Sequence, residues 1–512
     1  MSGRIFGSSR VARAILLAAA LAAPLAGCGG PAPQTAPLAP GAQPQVSPRT
    51  TQEQRLGDQT HPRILAQYGG AYGGPISDYV RTIGRRLAAV TPQANAPWTF
   101  TVLDSPVVNA FALPGGYVYV TRGLVALADD EAQLAGVVGH EIGHVTAAHS
   151  AQRQTQAAVA QAGVLAAVLG AAILGADRSV VDLLGQGAGA AAQGVVASYS
   201  RSQELEADRL GVAYIAQAGY DPAAQAGFLR AMQAQDALSA QLRGGSYDPN
   251  RVDFFASHPA TAERVRAAEG AAALAGGGAG GARARNRDAF LAAIEGMVYG
   301  DSAAQGFVRG QSFIHPELRF RFDAPSGFAI TNAAQQIVMQ GRGGRIVFDG
   351  GRDPGGDLRA YIAEAWAAAL AQQTRTGQLQ FRPTSRIGGM EAAAALMPVQ
   401  TQGGVALAHM TVIRSGAGRL YRFFSVVPPN NPAALAAVER GAASFRQLSA
   451  AEARAARPWR IDVVTARPGD TPASLARRMP FDRAGEARLR VLNGLAPGEP
   501  LRAGQKVKLV VE

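Results

Sequence analysis

His140, Glu141 and His144 lie in the run EAQLAGVVGHEIGHVTAAHS. In a helix four residues turn the backbone through about 400°, so the two imidazoles fall about 40° apart on one face, one turn from each other. Both can reach a single ion. Glu141 is offset by about 100° and lies beside the same centre, close enough to act on a water there without taking a ligand position. Imidazole nitrogens at about 2.0–2.1 Å suit Zn²⁺, and a hydrolytic zinc keeps one tetrahedral position open, so a third protein ligand must come from elsewhere. Glu204 and Asp208 are again four residues apart and share a face, whereas Glu206 is displaced by about 200° and points away. Glu204 is therefore the expected third ligand of one Zn²⁺ per chain. Asp208 falls where a carboxylate accepts a hydrogen bond from the outer N–H of a ligand histidine and fixes its tautomer. His149, at about 900° from His140 on a continuous helix, faces the opposite side and reads as a helix-end residue rather than a ligand. Four of the seven histidines fall between His140 and His258, with apolar Val137, Val138, Ile142 and Val145 among the flanks. A solvated face does not explain that pattern.

The elements that must hold these groups are partly legible. Asp130 with Gln133 three residues on resembles a capping box, so the helix starts near Glu131. Residues 117–121 (YVYVT) follow a Gly-Gly turn and read as a strand. That strand is either an exposed edge that binds substrate main chain by β-augmentation or one paired only internally. The run 157–176 is long enough to span a bilayer at about 1.5 Å per residue. Its Ala/Gly content, Gln161, and the flanking Arg153 and Arg178 favour a buried or membrane-skimming helix instead. Residues 275–281 are all Gly and Ala and mark a break after a helix over 260–274.

The chain has 512 residues, a length that fits about three domains. Hydrophobic residues make up 47% and charged residues 17%, which excludes a fibrous or wholly disordered chain. The net charge is +12, yet only two basic residues are Lys (Lys506 and Lys508), and the arginines are scattered without a run of like charges. Nucleic-acid binding is not expected. Arg4, Arg10 and Arg13 before the apolar stretch 14–26 read as a secretory leader over 1–27. Leu25-Ala26-Gly27-Cys28 resembles a lipobox, which implies a lipidated Cys28 that holds the chain on the membrane. Gly29 resembles the outer-membrane sorting pattern, and 28–50 reads as a Pro/Gly-rich tether. Cys28 is the one cysteine of the sequence, so no disulfide forms within the chain.

HEIGH, the segment holding Glu204 and Asp208, Ser257-His258-Pro259 with Glu263-Arg264, and Asn109–Gly116 before the strand together resemble a family of HExxH envelope zinc metallopeptidases. The family includes the CAAX prenyl endopeptidases, HtpX and BepA-like periplasmic proteins, and the likeness covers roughly residues 50–300. The resemblance implies a mainly helical, gluzincin-like peptidase domain at 51–300. In it His140, His144 and Glu204 bind zinc and Glu141 is the general base. His258 either stabilises the tetrahedral intermediate or fills the fourth zinc position and silences the site. The implied function is degradation of misfolded or misassembled envelope proteins on the periplasmic side of the outer membrane. The rival is a zinc-containing chaperone or a cell-wall-binding regulator whose proteolysis His258 silences.

Downstream, 305–448 alternates strand-like runs (318–322, 336–340, 345–349, 406–413, 419–426) with helical ones (357–372, 432–444), an α+β accessory domain in which His315 and His409 stand alone. No helical repeat of about 34 residues is present. Residues 460–512 read strand, helix capped by Thr471 with Pro472 at its first position, a second helix, and strand. They resemble a small βααβ LysM module, which implies possible peptidoglycan binding. The overall fold class expected is α+β.

Overall fold

The computed structural model describes residues 50–153, 199–242, 258, 260–276, 283–333, 336–341, 343–401, 403–416 and 418–512. The leader, Cys28, the tether, the run 157–176 and most of the Gly/Ala break lie outside the described residues. Among the described residues no helix is long and apolar enough to cross a membrane. The architecture is mixed α and β.

The chain enters through α1 (Thr51–Gln67), started by a reciprocal box between Thr50 and Glu53, and α2 (Pro75–Ala88), which buries Ile76, Val80, Ile83 and Leu87 at helical spacing. Strands β1 (Thr99–Leu103), β2 (Ala110–Leu113) and β3 (Tyr117–Thr121) form one sheet in the order β1-β3-β2. Residues 117–121 are thus the central strand, parallel to β1 and antiparallel to β2, and the internally paired alternative holds. The reason is the turn: Gly115 and Gly116 at φ +87° and +84° fold the chain straight back from β2. The two edge strands are β1, which Ala71 bridges at Leu103, and β2.

After α3 (Arg122–Leu127) comes α4 (Glu131–Thr146), in which every residue but Val145 is buried. It packs against α5 (Arg201–Gln217) through small residues. A Cβ on Gly211 would stand 2.9 Å from the His140 nitrogen, and one on Gly143 would stand 3.0 Å from the Ala207 carbonyl. Only glycine allows this approach, which brings the side chains at 204 and 208 within reach of those at 140 and 144. Helices α6 (Ala224–Leu242), α7 (Ala262–Leu274) and α8 (Arg287–Ile294) and the short β4 (Val298–Tyr299) complete this part.

The core around α4 continues into the tail: Ile461, Leu475, Leu489, Val507, Leu509 and Val510 are buried in the same apolar cluster as Leu134 and Val138. Strand 459–465 pairs with β4 on one side and with strand 506–511 on the other. Lys508 is fully buried; its Nζ donates to the carbonyls of Ala126 (2.9 Å) and Ala128 (2.6 Å), just ahead of α4. Burial pushes this ammonium down to about 8, although Asp129 favours the charge. In the unfolded chain it stays protonated up to about 10.4. Between these values the unfolded state holds more protons, so this group's contribution to stability grows as pH rises and is lost as pH falls through about 8. Urea midpoints at about pH 7.5 and 9.5 should therefore show the wild type gaining about 2 kcal/mol on Lys508→Met over that interval.

Between these parts, residues 305–448 build a four-stranded and an eight-stranded sheet. Strands at 320–323, 336–341, 344–352, 404–415 and 419–427 and helical segments at 358–373 and 432–443 follow the alternation in the sequence. The long strand 390–401 (MEAAAALMPVQT) does not: its alanines favour helix and it lacks the period of two, because both of its faces are buried. His315 and His409 are buried there, and desolvation holds both imidazoles at about 4.

Candidate metal centre

The site is set by how α4 begins. The Asp130 carboxylate accepts from the Gln133 N–H at 2.9 Å, while Gln133 Oε1 accepts from Asp129 N at 3.0 Å, so the reciprocal half of the box is displaced by one residue. Glu131 accepts from the Tyr220 hydroxyl (2.7 Å), Asn286 (3.1 Å) and Tyr79, and Arg285 pairs with Asp130 at 2.8 Å. Negative charge at a helix N-terminus is favourable. With its first turn fixed from three directions, the helix delivers His140, Glu141 and His144 to one buried place.

His140 Nε2 and His144 Nε2 stand 3.0 Å apart. Glu204 from α5 brings Oε1 to 3.4 Å from His144 Nε2 and Oε2 to 3.6 Å from His140 Nε2. His258 joins them, with Nδ1 2.9 Å from Glu204 Oε1 and 3.4 Å from His140 Nε2. One ligand atom from each of these four side chains lies within 4.8 Å of every other. Two imidazole nitrogens aimed at each other across 3.0 Å, with a carboxylate beside them, form the donor set a zinc ion fits. Among the described residues no second group of three or more such side chains converges.

Electrostatics follow from burial and pairing. Burial alone would raise the Glu204 carboxyl, but His258 and Arg264 hold it well below the usual carboxylate range. His144 is driven well below the ordinary imidazole value by desolvation. For His258 burial works the other way and loses to the Glu204 and Glu141 carboxylates, so its pKa is raised. Glu141 Oε2 is buried with no hydrogen-bond partner among the described residues, and its other oxygen is 3.7 Å from His258 Nε2.

Asp208 Oδ1 lies 2.9 Å from His140 Nδ1, on the side away from the cluster. The same carboxylate takes both Nε (2.7 Å) and a terminal nitrogen (2.8 Å) of Arg264 from α7, whose other terminal nitrogen is 2.7 Å from Glu204 Oε2. Arg264 thus ties the Glu204 and Asp208 carboxylates of α5 together. The sequence named this arginine only as part of a motif; the signal for its place was the need of two buried carboxylates for a counter-charge.

The side assigned to His149 needs correction. Helix α4 ends at Thr146, and Ala148 takes φ +53°, so the count of 100° per residue stops before His149 is reached. The chain turns back, and His149 Nδ1 comes to 2.9 Å from His144 Nδ1. Glu206 does point away from the four-residue cluster, but toward His149, with Oε2 3.3 Å from Nε2. Tyr199 was also missed: its ring stacks on His144 at 3.7 Å between centroids, with the Arg153 guanidinium 3.7 Å from the Tyr199 ring.

A cavity of about 210 Å³ opens along this cluster, lined by Val108, Asn109, Ala110, Phe228 and Met232 as well as Glu141 and His258. It runs to the start of β2, an edge strand of the sheet.

Residues 77–272 match the profile of peptidase family M48. Among curated proteins, the β-barrel assembly-enhancing protease of Escherichia coli (strain K12) is 30% identical over 219 residues, 42% of either chain. The protein of that name from Yersinia pestis is 32% identical over 188 residues, 36% of this chain and 38% of its own. The mitochondrial metalloendopeptidase OMA1 of Schizosaccharomyces pombe is 30% identical over 222 residues, 42% of this chain and 60% of its own. The chain spans less than half the length of these bacterial relatives.

Proposed function

We propose that the chain, whose residues 77–272 match peptidase family M48, a family of zinc metallopeptidases, is a zinc-dependent endopeptidase acting on misfolded or misassembled proteins of the cell envelope. The observation that carries this reading is the buried cluster of His140, His144, Glu204 and His258 with the Glu141 carboxylate beside it at a cavity wall. The names of the bacterial relatives, β-barrel assembly-enhancing proteases, support the envelope setting. The lipobox-like Cys28 would hold the chain on the periplasmic side of the outer membrane, and 460–512 would add contact with peptidoglycan.

Bound zinc would polarise the scissile carbonyl and bring the pKa of an attacking water toward about 7. His140, His144 and Glu204 would hold the ion, and Asp208, 2.9 Å from His140 Nδ1, would accept a hydrogen bond from its N–H and keep that ligand's tautomer. Glu141 takes the proton of the attacking water and returns it to the leaving amine. The edge of β2 gives substrate main chain a hydrogen-bonding partner, so that affinity depends little on side chains.

His258 supports a second reading. Its Nδ1 is 2.9 Å from Glu204, inside the ligand group, where it can serve as a fourth donor in place of water. In that state the chain would be a silent peptidase, working as a chaperone or regulator until substrate displaces His258. Zinc content and casein cleavage of the full chain distinguish these readings. Chelation should abolish cleavage and zinc should restore it. In His258→Ala cleavage rises several-fold if the histidine blocks the site. It falls by about 10²-fold or more if His258 stabilises the transition state. A chain that takes up no zinc would sink the proposal.

A further inference from the structure

We propose that His149 and Glu206 are positioning residues that fix the tautomer of the zinc ligand His144 through an imidazole relay. The proposal rests on the zinc reading above and adds two residues that the ligand set does not contain.

The argument is a count of protons. His144 faces the cluster with Nε2, 3.0 Å from His140 Nε2 and 3.4 Å from Glu204 Oε1, so that nitrogen must offer its lone pair and the ring proton sits on Nδ1. His144 Nδ1 is 2.9 Å from His149 Nδ1, which can then only accept. His149 in turn carries its proton on Nε2, which faces Glu206 Oε2 at 3.3 Å, and a carboxylate accepts it. Each link leaves one choice for the next. The opposite tautomer of His149 would set two N–H groups against each other, at a side chain with no exposure to water.

The two histidine ligands are thus supported differently. His140 meets the carboxylate of Asp208 directly, while His144 meets one through a second imidazole. Both carboxylates come from α5, two residues apart, and each serves a histidine of the α4 segment. Stacking of Tyr199 on His144 fixes the plane of the ring but cannot fix where its proton sits.

The test uses the full chain, titrated with zinc against a chromogenic chelator and, separately, loaded with Co²⁺ for its visible spectrum. His149→Phe fills the space without an acceptor and should weaken zinc binding by about 10–100-fold. Glu206→Leu, at a partly exposed side chain, should weaken it in the same direction and shift the cobalt bands. Glu206→Gln, which keeps an oxygen acceptor, should recover part of both effects. Wild-type affinity and cobalt bands in Glu206→Leu, or wild-type affinity in a folded His149→Phe, would overturn the relay. A wild-type chain that binds neither metal would instead overturn the zinc reading.

Discussion

Glu141→Gln should abolish measurable cleavage of an unfolded protein, a loss of about 10²–10⁴-fold, while the chain keeps its bound zinc. The substitution preserves shape and removes the ability to accept a proton at neutral pH, together with a carboxylate charge that helps to raise the His258 pKa. Glu141 contributes no atom to the group of His140, His144, Glu204 and His258, so the metal should stay. The Glu141 side chain is buried, with Oε2 unpaired among the described residues, so no hydrogen bond of that oxygen to the protein is lost. Stability should therefore change little, and the readouts are zinc content, thermal midpoint and the cleavage rate. Loss of zinc together with activity would make Glu141 a ligand instead. Retained activity would mean that another group, such as His258 at 3.7 Å from Glu141, accepts the proton.

What could be read in the sequence is what helical geometry fixes over one turn. His140 with His144, and Glu204 with Asp208, are pairs at a spacing of four, and a helix aligns such pairs whatever surrounds it. Their juxtaposition in space needs the Gly139, Gly143 and Gly211 contact between α4 and α5, which a sequence holds only as unexplained glycines. His149 failed the same geometric rule because the rule assumes that the helix goes on, and one residue with positive φ at Ala148 ended it. Nothing local marks that turn: Ala148 is neither glycine nor asparagine, and the backbone there is held by the packing around it. The place of that strand in its sheet was out of reach for a related reason. The sequence shows that 117–121 is a strand, but strand order is a property of the whole sheet, and β1 closes the side that the Gly-Gly turn leaves open.

The tail marks the same limit and carries the other large effect. By pattern alone 460–512 is a small module with its own capped helix, the kind of unit that can be removed without harm. Its packing argues otherwise. Ile461, Leu475, Leu489, Val507, Leu509 and Val510 are each nearly or fully buried and share the core of α4. Fully buried aliphatic side chains are worth about 1.5–3 kcal/mol each, and a domain's whole stability is about 5–15 kcal/mol. Polar ties run the same way: Ile461 exchanges backbone hydrogen bonds with the 296–297 turn, Arg287 donates to the Lys506 carbonyl, and Lys508 serves the carbonyls that end α3. Ending the chain at residue 458 should thus expose the apolar surface beneath α4, leave those carbonyls without their ammonium and loosen the turn that holds Asp130. The expected result is a chain that loses its cooperative thermal transition and its zinc. If the shortened chain keeps both and loses only binding to isolated sacculi, the tail is an appended wall-binding module, and the shared core contributes far less than its burial indicates.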